Sequence, residues 1–256
     1  DPLPDEKRVH LGYGSFNTLT MDAAATLLAN DRVRLGVNLG TTRSDGYQQT
    51  PAEYRNPNMV PTASGADNLL LTAVFTPSAA SRFYLKASAH QSHEDGLVWN
   101  VAHNSWDNYR LTGGGSTRLD TGGSLHFSGW TDRNKMATTN AGQSPAYSLL
   151  TPQLAVPFVS QIESARYRST GGSVFYQNDF GSIKDFKLGA DLRAIRADDE
   201  LNLYGQTAQT AAIMARGEHR FQGLFAQGTW RPDKLPLDLT LGLREDFWQA
   251  RSASVN

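Results

Sequence analysis

The densest group of metal-ligating side chains is His90-Gln91-Ser92-His93-Glu94-Asp95, with His103 close behind. Imidazole and carboxylate together suit a divalent ion. Residues three apart on a strand face opposite sides, however, so His90 and His93 do not converge there. The segment reads as a polar loop at the end of a strand, and no metal site is assigned. Gly113-Gly114-Gly115-Ser116-Thr117 has the glycine density of a phosphate cradle but lacks the lysine that a Walker loop requires. In a strand, such glycines leave room for a neighbouring aromatic ring or a bend. Gly12-Tyr13-Gly14-Ser15-Phe16 does not complete a Gly-x-Ser-x-Gly elbow. Asp198-Asp199-Glu200 has the chemistry of an acid pair or a cation site and reads as a solvated loop tip. No catalytic residue, metal or cofactor is assigned, and the chain reads as a non-enzyme.

Two further sets carry binding chemistry. Trp99, Trp106, Tyr147 and Tyr204 lie in or beside long polar stretches. Two readings stand for them: rings that stack on a planar ligand, or an aromatic girdle at a membrane interface. Trp230 and Trp248, near strand ends, suit the girdle. The second set is charged and falls on strand after strand: Arg34, Lys86, Arg110, Arg118, Lys187, Asp191, Arg193, Asp238 and Arg244.

The elements that position these residues follow from period two. Val33, Leu35, Val37 and Leu39 alternate with Arg34, Gly36, Asn38 and Gly40. Phe83 to Ala89, Phe186 to Ala194 and Leu237 to Leu243 repeat the pattern, and helical spacing is absent. Turn signals such as Asn30-Asp31, Asp120-Thr121-Gly122-Gly123 and Arg231-Pro232-Asp233 punctuate the strands. The spacing predicts about eleven strands, at 8–14, 17–28, 33–44, 69–77, 82–91, 108–118, 123–132, 164–177, 185–196, 218–230 and 237–249. Short turns alternate with long polar connections near 45–67, 92–107, 132–163 and 197–217.

Composition narrows the class. The 256 residues carry 24 Lys+Arg against 25 Asp+Glu, without the basic excess expected of a nucleic-acid binder. The lack of Cys removes disulfides, thiolate sites and a Cys nucleophile. The longest nearly apolar run, Leu69 to Phe75, is far below the ~18 residues of a spanning helix. The chain opens Asp-Pro-Leu-Pro-Asp-Glu-Lys, with neither Met nor a leader-like start, and is expected to be a processed or excised piece.

Strands of about ten residues with long connections at one end are the pattern of an outer-membrane barrel. A soluble sandwich uses shorter strands and needs a second layer over Val33 to Leu39. A barrel puts lipid on the Leu/Val/Phe face and a polar lumen on the charged one. The lumen set leans basic, which favours an anionic solute.

The motifs Leu11-Gly12-Tyr13-Gly14-Ser15-Phe16-Asn17-Thr18, Arg43-Ser44-Asp45-Gly46-Tyr47, Gly223-Leu224-Phe225-Ala226-Gln227-Gly228-Thr229-Trp230-Arg231-Pro232 and Leu241-Gly242-Leu243-Arg244-Glu245-Asp246 resemble those of TonB-dependent outer-membrane receptors. Glu245 stands where that family commonly has Tyr. The resemblance implies an all-β, antiparallel transmembrane barrel, about eleven strands of a 22-strand one, with residues 1–7 as a linker from a plug domain and 8–256 as barrel. It implies TonB-dependent transport of a scarce large solute, a ferric siderophore above all, across the outer membrane of a Gram-negative bacterium. The partners implied are the TonB-ExbB-ExbD complex, outer-membrane lipid and lipopolysaccharide, and a metal chelate. Loops in this family clasp ligand, which makes Trp99, His103, Trp106, Tyr147, Phe158 and Tyr204 the expected ligand set. The lumen is expected to carry Arg34, Lys86, Arg110, Arg118, Lys187, Asp191, Arg193 and Arg244. The chain lacks the TonB box and the terminal aromatic residue of the family. A plugless porin-like channel and a soluble secreted β-sandwich are the rival readings.

Overall fold

A segment that alternates apolar and polar residues can present one apolar face only in extended form. The computed structural model describes residues 7–253 and arranges them as one antiparallel sheet of eleven strands in chain order. These are β1 (Arg8–Gly14), β2 (Thr18–Ala29), β3 (Val33–Ser44), β4 (Ala63–Ser78), β5 (Ser81–Asp95), β6 (His103–Arg118), β7 (Ser124–Gln143), β8 (Pro157–Phe180), β9 (Ile183–Tyr204), β10 (Gln209–Trp230) and β11 (Leu239–Ala253). The linker reading falls almost wholly outside the described residues.

An antiparallel meander sends alternate connections to opposite ends. The connections at 30–32, 79–80, 119–123, 181–182 and 231–238 share one end. Those at 15–17, 45–62, 96–102, 144–156 and 205–208 share the other. The two longest connections, 45–62 and 144–156, share one end as the sequence pattern predicts, but 231–238 at the other end is longer than 96–102 and 205–208, which are shorter than the sequence reading made them.

The strands run further than the sequence reading placed them. β8 has 24 residues and β9 and β10 have 22 each. At ~3.3 Å per residue β8 is roughly 80 Å long, far more than the ~25 Å apolar band of a barrel requires even when tilted. Much of 92–107, 132–163 and 197–217, read as loop, is strand. Beyond the bilayer both faces of a strand meet water, so the alternation that betrays a strand disappears while its hydrogen-bond ladder continues.

Register assigns the faces. Val37 lies opposite Ala25 and Leu71, Leu71 opposite Ala87, and Ala87 opposite Leu111. In β2 a register shift between Thr26 and Leu28 returns Leu28 to this face, opposite Leu35, where strict alternation would have turned it away. The face has no second layer: among the described residues there is one sheet and no covering helix. Leu11, Leu39, Leu71, Leu85, Leu188, Leu192, Leu241 and Leu243 are all exposed on it. Each such side chain gains ~1.5–3 kcal/mol on burial. Leaving half a dozen in water would match the ~5–15 kcal/mol net stability of a typical fold. The sandwich reading fails here, because nothing in the sheet covers Val33 to Leu39.

One hydrogen-bonded row runs Val37, Leu71, Ala87, Leu111, Thr131, Thr170, Ala194, Arg220. It begins inside the apolar band and leaves it by β10. The strands are thus tilted against the band, as barrel closure demands.

Candidate solute-binding face and loop cap

Arg34, Lys86, Arg110, Arg118, Lys187, Asp191, Arg193 and Arg244 fall on the face opposite Val37, Leu71 and Leu188, by the same register. They spread from β3 to β11 rather than forming one cluster. Several are neutralised by carboxylates of the same face. Arg110 pairs with Asp132 at 3.2 Å, and Lys187 with Asp185 at 3.0 Å. Arg244 bridges Asp191 at 2.8 Å and Asp246 at 2.6 Å. Arg193 donates to Ser169 Oγ at 3.3 Å and Tyr167 Oη at 3.2 Å. The face is therefore more mixed in charge than the basic list suggested, because cross-strand partners are invisible without register.

Small residues shape this face. A Cβ at Gly114 would lie 2.8 Å from Tyr84 Oη, and one at Gly171 would lie 2.5 Å from Trp130 Cζ2. A Cβ at Gly223 would lie 2.9 Å from both Arg244 Cζ and Asp246 Oδ1. Gly223 thus makes the space in which Arg244 reaches Asp191. The glycines of 113–115 serve close packing, as expected for a strand.

Hollows open on the polar face, and two of them carry rings and cations together. The lower one, of about 690 Å³, is lined by Arg82, Tyr84, Lys86, Arg110, His126 and Phe175, among others. The His126 and Phe175 rings stack with centroids 4.5 Å apart. The upper one, of about 530 Å³ and nearer the long connections, includes His90, Trp106, Met136 and Tyr167. Cations and aromatic rings line the lower hollow together, and rings with His90 line the upper one, a mixture able to meet anionic and planar groups. His126, Tyr167 and Phe175 were not singled out from the sequence, although each alternates with residues of the other face.

The structure brings together only part of the expected ligand set. Trp99 and Tyr147 are in connections, and their rings meet edge to face at 5.9 Å. Trp99 is only 8% exposed, so it is packing rather than a free ligand surface. His103 opens β6 and shares a hydrogen bond with Thr139 Oγ1 at 3.0 Å, on the face continuous with the apolar band. Trp106 lies within β6 on the polar face, and Phe158 within β8 on the same face, where it packs over Gly142. Tyr204 ends β9 on the opposite face. His103, Trp106, Phe158 and Tyr204 are thus strand residues, for the reason given above. Trp248 faces His219 on the polar side, with centroids 6.4 Å apart, and does not belong to a lipid-facing girdle.

What caps the long-connection end is a small core that the sequence reading missed. Asn56, 2% exposed, donates from Nδ2 to Pro152 O at 2.6 Å and Ala155 O at 2.8 Å. Its Oδ1 accepts from Asn58 N–H at 2.8 Å. Tyr147 Oη donates to Tyr54 O at 2.6 Å, and Met59 bridges to Trp99. The connections 45–62, 96–102 and 144–156 are therefore tied into one unit. Asn56-Pro57-Asn58 is a turn signal, but its partners lie almost a hundred residues away.

The motif residues near β1 form a second corner. Phe16 and Asn17 take φ of 57° and 52°, in the left-handed region. Asn17 Nδ2 donates to Asp45 Oδ2 at 2.7 Å, Asp45 N–H donates to Phe16 O at 3.0 Å, and Phe16 packs on Tyr47 at 5.4 Å. Gly46 has φ 70° with its α-carbon against Thr62 O, where any side chain would clash. The Gly-Ser-Phe-Asn-Thr and Arg-Ser-Asp-Gly-Tyr segments are thus halves of one contact.

His90 Nδ1 lies 2.6 Å from Asn68 Oδ1, and His93 Nε2 lies 4.0 Å from Asp95 Oδ2 on the other face. Among the described residues no group of three His, Asp or Glu side chains is placed to hold a metal ion. At the short-turn end Arg231 donates to both oxygens of Asp238, at 2.8 and 2.6 Å. This hydrogen-bonded pair holds the Asp238 carboxyl below its ordinary range and pushes the Arg231 guanidinium up.

Comparison with solved structures gives the same architecture. The chain is similar to the ferric-catecholate import receptor Fiu of E. coli K12 in its closed form, with TM-score 0.70 and 11% identity, over 98% of this chain and 42% of that one. It is similar to P. aeruginosa FpvA in complex with iron-loaded pyoverdine, with TM-score 0.69 and 11% identity, over 98% and 38%. It is also similar to the copper transporter OprC, with TM-score 0.61 and 16% identity, over 97% and 38%. No family model and no curated protein matches the sequence. The fold is that of an outer-membrane β-barrel, eleven antiparallel strands of a larger one. The chain spans about two-fifths of the length of the solved structures it matches.

Proposed function

We propose that this chain forms part of the barrel of a TonB-dependent outer-membrane receptor that imports a large, scarce solute, a ferric siderophore being the favoured class. The observation that carries the reading is a single tilted sheet with a layerless apolar face and a hollowed polar face, superposable on Fiu over 98% of its length. Strands that project far beyond the apolar band, closed by tied loops, provide the height over which such a solute is captured. β1 and β11 each pair on one side only, and an unpaired ladder edge in hydrocarbon costs several kcal/mol per group. The barrel is closed by strands outside these eleven. A plug inside it, engaged by TonB-ExbB-ExbD, supplies the gating and the energy. The chain's role is binding and passage, without covalent catalysis.

The rings of Trp106, Tyr167 and Phe175 and the cations Arg82 and Lys86 support an anionic chelate with planar groups. The test is uptake and binding by the complete receptor. Cells carrying it are expected to take up a ferric siderophore only when TonB is present, and the detergent-purified receptor to bind that chelate saturably. Uptake that persists without TonB, with no saturable binding, identifies a diffusion channel instead.

A further inference from the structure

One row of the polar face is built of amides and imidazole rather than charges. By register Asn68 lies opposite His90, His90 opposite Asn108, Asn108 opposite Asn134 and Asn134 opposite Tyr167. On the other side of Gly40 the row reaches Asp22, whose carboxylate lies 3.7 Å from His10 Nδ1. The amides and the imidazole are tied in pairs. His90 Nδ1 lies 2.6 Å from Asn68 Oδ1, and Asn108 Nδ2 donates to Asn134 Oδ1. An amide oxygen only accepts, so the neutral His90 ring carries its proton on Nδ1 and presents Nε2 as an acceptor. Each pair therefore keeps one donor and one acceptor unused. These are Asn68 Nδ2 with His90 Nε2, and Asn134 Nδ2 with Asn108 Oδ1. Among the described residues none of the four atoms has a hydrogen-bond partner.

The surroundings are neutral. One step up, the same face holds Ser92, Trp106 and Met136. One step down, Arg110 and Asp132 pair at 3.2 Å. His90, Asn108, Asn134 and Tyr167 line the upper hollow with Trp106 and Met136. Asp107 and Lys135 also border it, but they are of opposite sign, stand opposite one another, and belong to the other face by register. Recognition in this hollow is therefore directional, through hydrogen bonds, rather than by net charge. A hydroxyl accepts one hydrogen bond while donating another, and so satisfies a free donor and a free acceptor together. An ionised oxygen only accepts, and would face the lone pairs of His90 Nε2 and Asn108 Oδ1. The rings of Trp106 and Tyr167 add apolar surface for the C–H face of a sugar. We propose that Asn68, His90, Asn108 and Asn134 read solute hydroxyls, so that the solute carries a glycosyl or other polyol part seated in the upper hollow. Its chelating part is left to the cations and rings below. The inference deepens the receptor reading above and rests on it.

The experiment uses the complete receptor in mild detergent, with binding measured by calorimetry and tryptophan fluorescence. The probes are a ferric tris-catecholate chelate, the same chelate carrying glucosyl groups, and iron-free maltotriose. Each hydrogen bond to a solute hydroxyl contributes roughly two- to tenfold, so wild type is expected to bind the glucosylated chelate at least about tenfold tighter than the bare one. N108L/N134L removes one tied pair and is expected to cut that preference by about fivefold or more, with affinity for the bare chelate unchanged. His90→Phe is expected to lose part of the preference, and His90→Gln, which restores an acceptor, to regain it. Thr42→Ala, on the same face but outside the hollow, is expected to behave as wild type. Gel mobility of unheated samples shows which variants are folded barrels; if N108L/N134L does not fold, His90→Phe against His90→Gln gives the same comparison. Equal or weaker binding of the glucosylated chelate by wild type, or a preference unchanged in the folded variants, overturns the hydroxyl site and leaves the receptor reading intact. Binding of maltotriose but of neither chelate, lost in N108L/N134L, sustains the hydroxyl site and overturns the chelate. Binding of none of the probes by folded wild type overturns the hydroxyl site; the receptor reading then stands or falls on the uptake test above.

Discussion

Replacing Leu71 by Arg tests the face assignment at its centre. Leu71 lies between Val37 and Ala87 in its row, within the stretch of β4 bounded by Asp67 above and Phe75 below. It is exposed, as a lipid-facing residue is in the absence of lipid. Arginine near the midplane on a lipid face costs ~2–4 kcal/mol, a factor of about 30 to 1,000 in the folding equilibrium at 1.4 kcal/mol per decade. Asn38 provides the comparison at equal depth, because it pairs with Leu70, the residue before Leu71, on the polar face. Asn38→Arg is expected to shift stability by well under 1 kcal/mol, as a solvated substitution does. Leu71→Ala separates lost apolar contact from buried charge and is expected to fall between the two. The assay is denaturant unfolding of the complete receptor barrel in lipid vesicles, with folded fraction read from gel mobility. Equal destabilisation by Leu71→Arg and Asn38→Arg would refute the assignment of faces.

Asn56→Ala removes the donor to Pro152 O and Ala155 O and leaves buried carbonyls unpaired, a cost of ~1–3 kcal/mol confined to the cap. Hydrogen exchange in 144–156 should quicken about tenfold or more while β7 and β8 keep their protection; unchanged exchange would show that Asn56 does not tie the loops. Gly223→Leu should displace Arg244 from Asp191, and Arg244→Gln should mimic its effect on solute affinity; additive effects of the two would argue against a shared cause. For pH, Asp238 is held below its ordinary value by Arg231, so its contribution is present above about pH 4 and fades as pH falls through the lowered value. Because the pair is exposed, the effect is small. An NMR titration of the Asp238 carboxyl should show a depressed midpoint that returns toward normal in Arg231→Gln.

The barrel portion of the fold was legible because lipid on one side and water on the other force period two. Val33 to Leu39, Phe83 to Ala89 and Phe186 to Ala194 all carry that imprint, and the turns between them announce themselves. Where the environment becomes the same on both sides the imprint vanishes. Asn134, Lys135 and Met136 continue β7 with no alternation to mark them, and the same holds for Asp198 to Leu203 in β9. A reader of periodicity ends the strand at the membrane; the hydrogen-bond ladder does not. The bulge at Leu28 is hidden for the converse reason, since both Leu27 and Leu28 are apolar and neither shows which of them turns back.

The site was less legible, and the reason is pairwise. A side chain's face follows from its own strand, but its state of charge and freedom follow from neighbours tens of residues away. Arg244 looked like a bare lumen cation until β9 brought Asp191 to it, 53 residues distant in sequence. Trp99 looked like a ligand ring until Tyr147 and Met59 closed around it. The reverse happened at Arg133, read as loop, and at Arg168, read as strand, each ordinary in sequence, which register sets opposite one another. Within a sheet, register converts scattered charges either into pairs that are silent or into clusters that demand a counter-ion. On the polar face it made pairs. On the rim of the apolar face it made both: Arg216 pairs with Asp198 and Arg220 with Glu218, while Arg133 and Arg168 stand opposite one another.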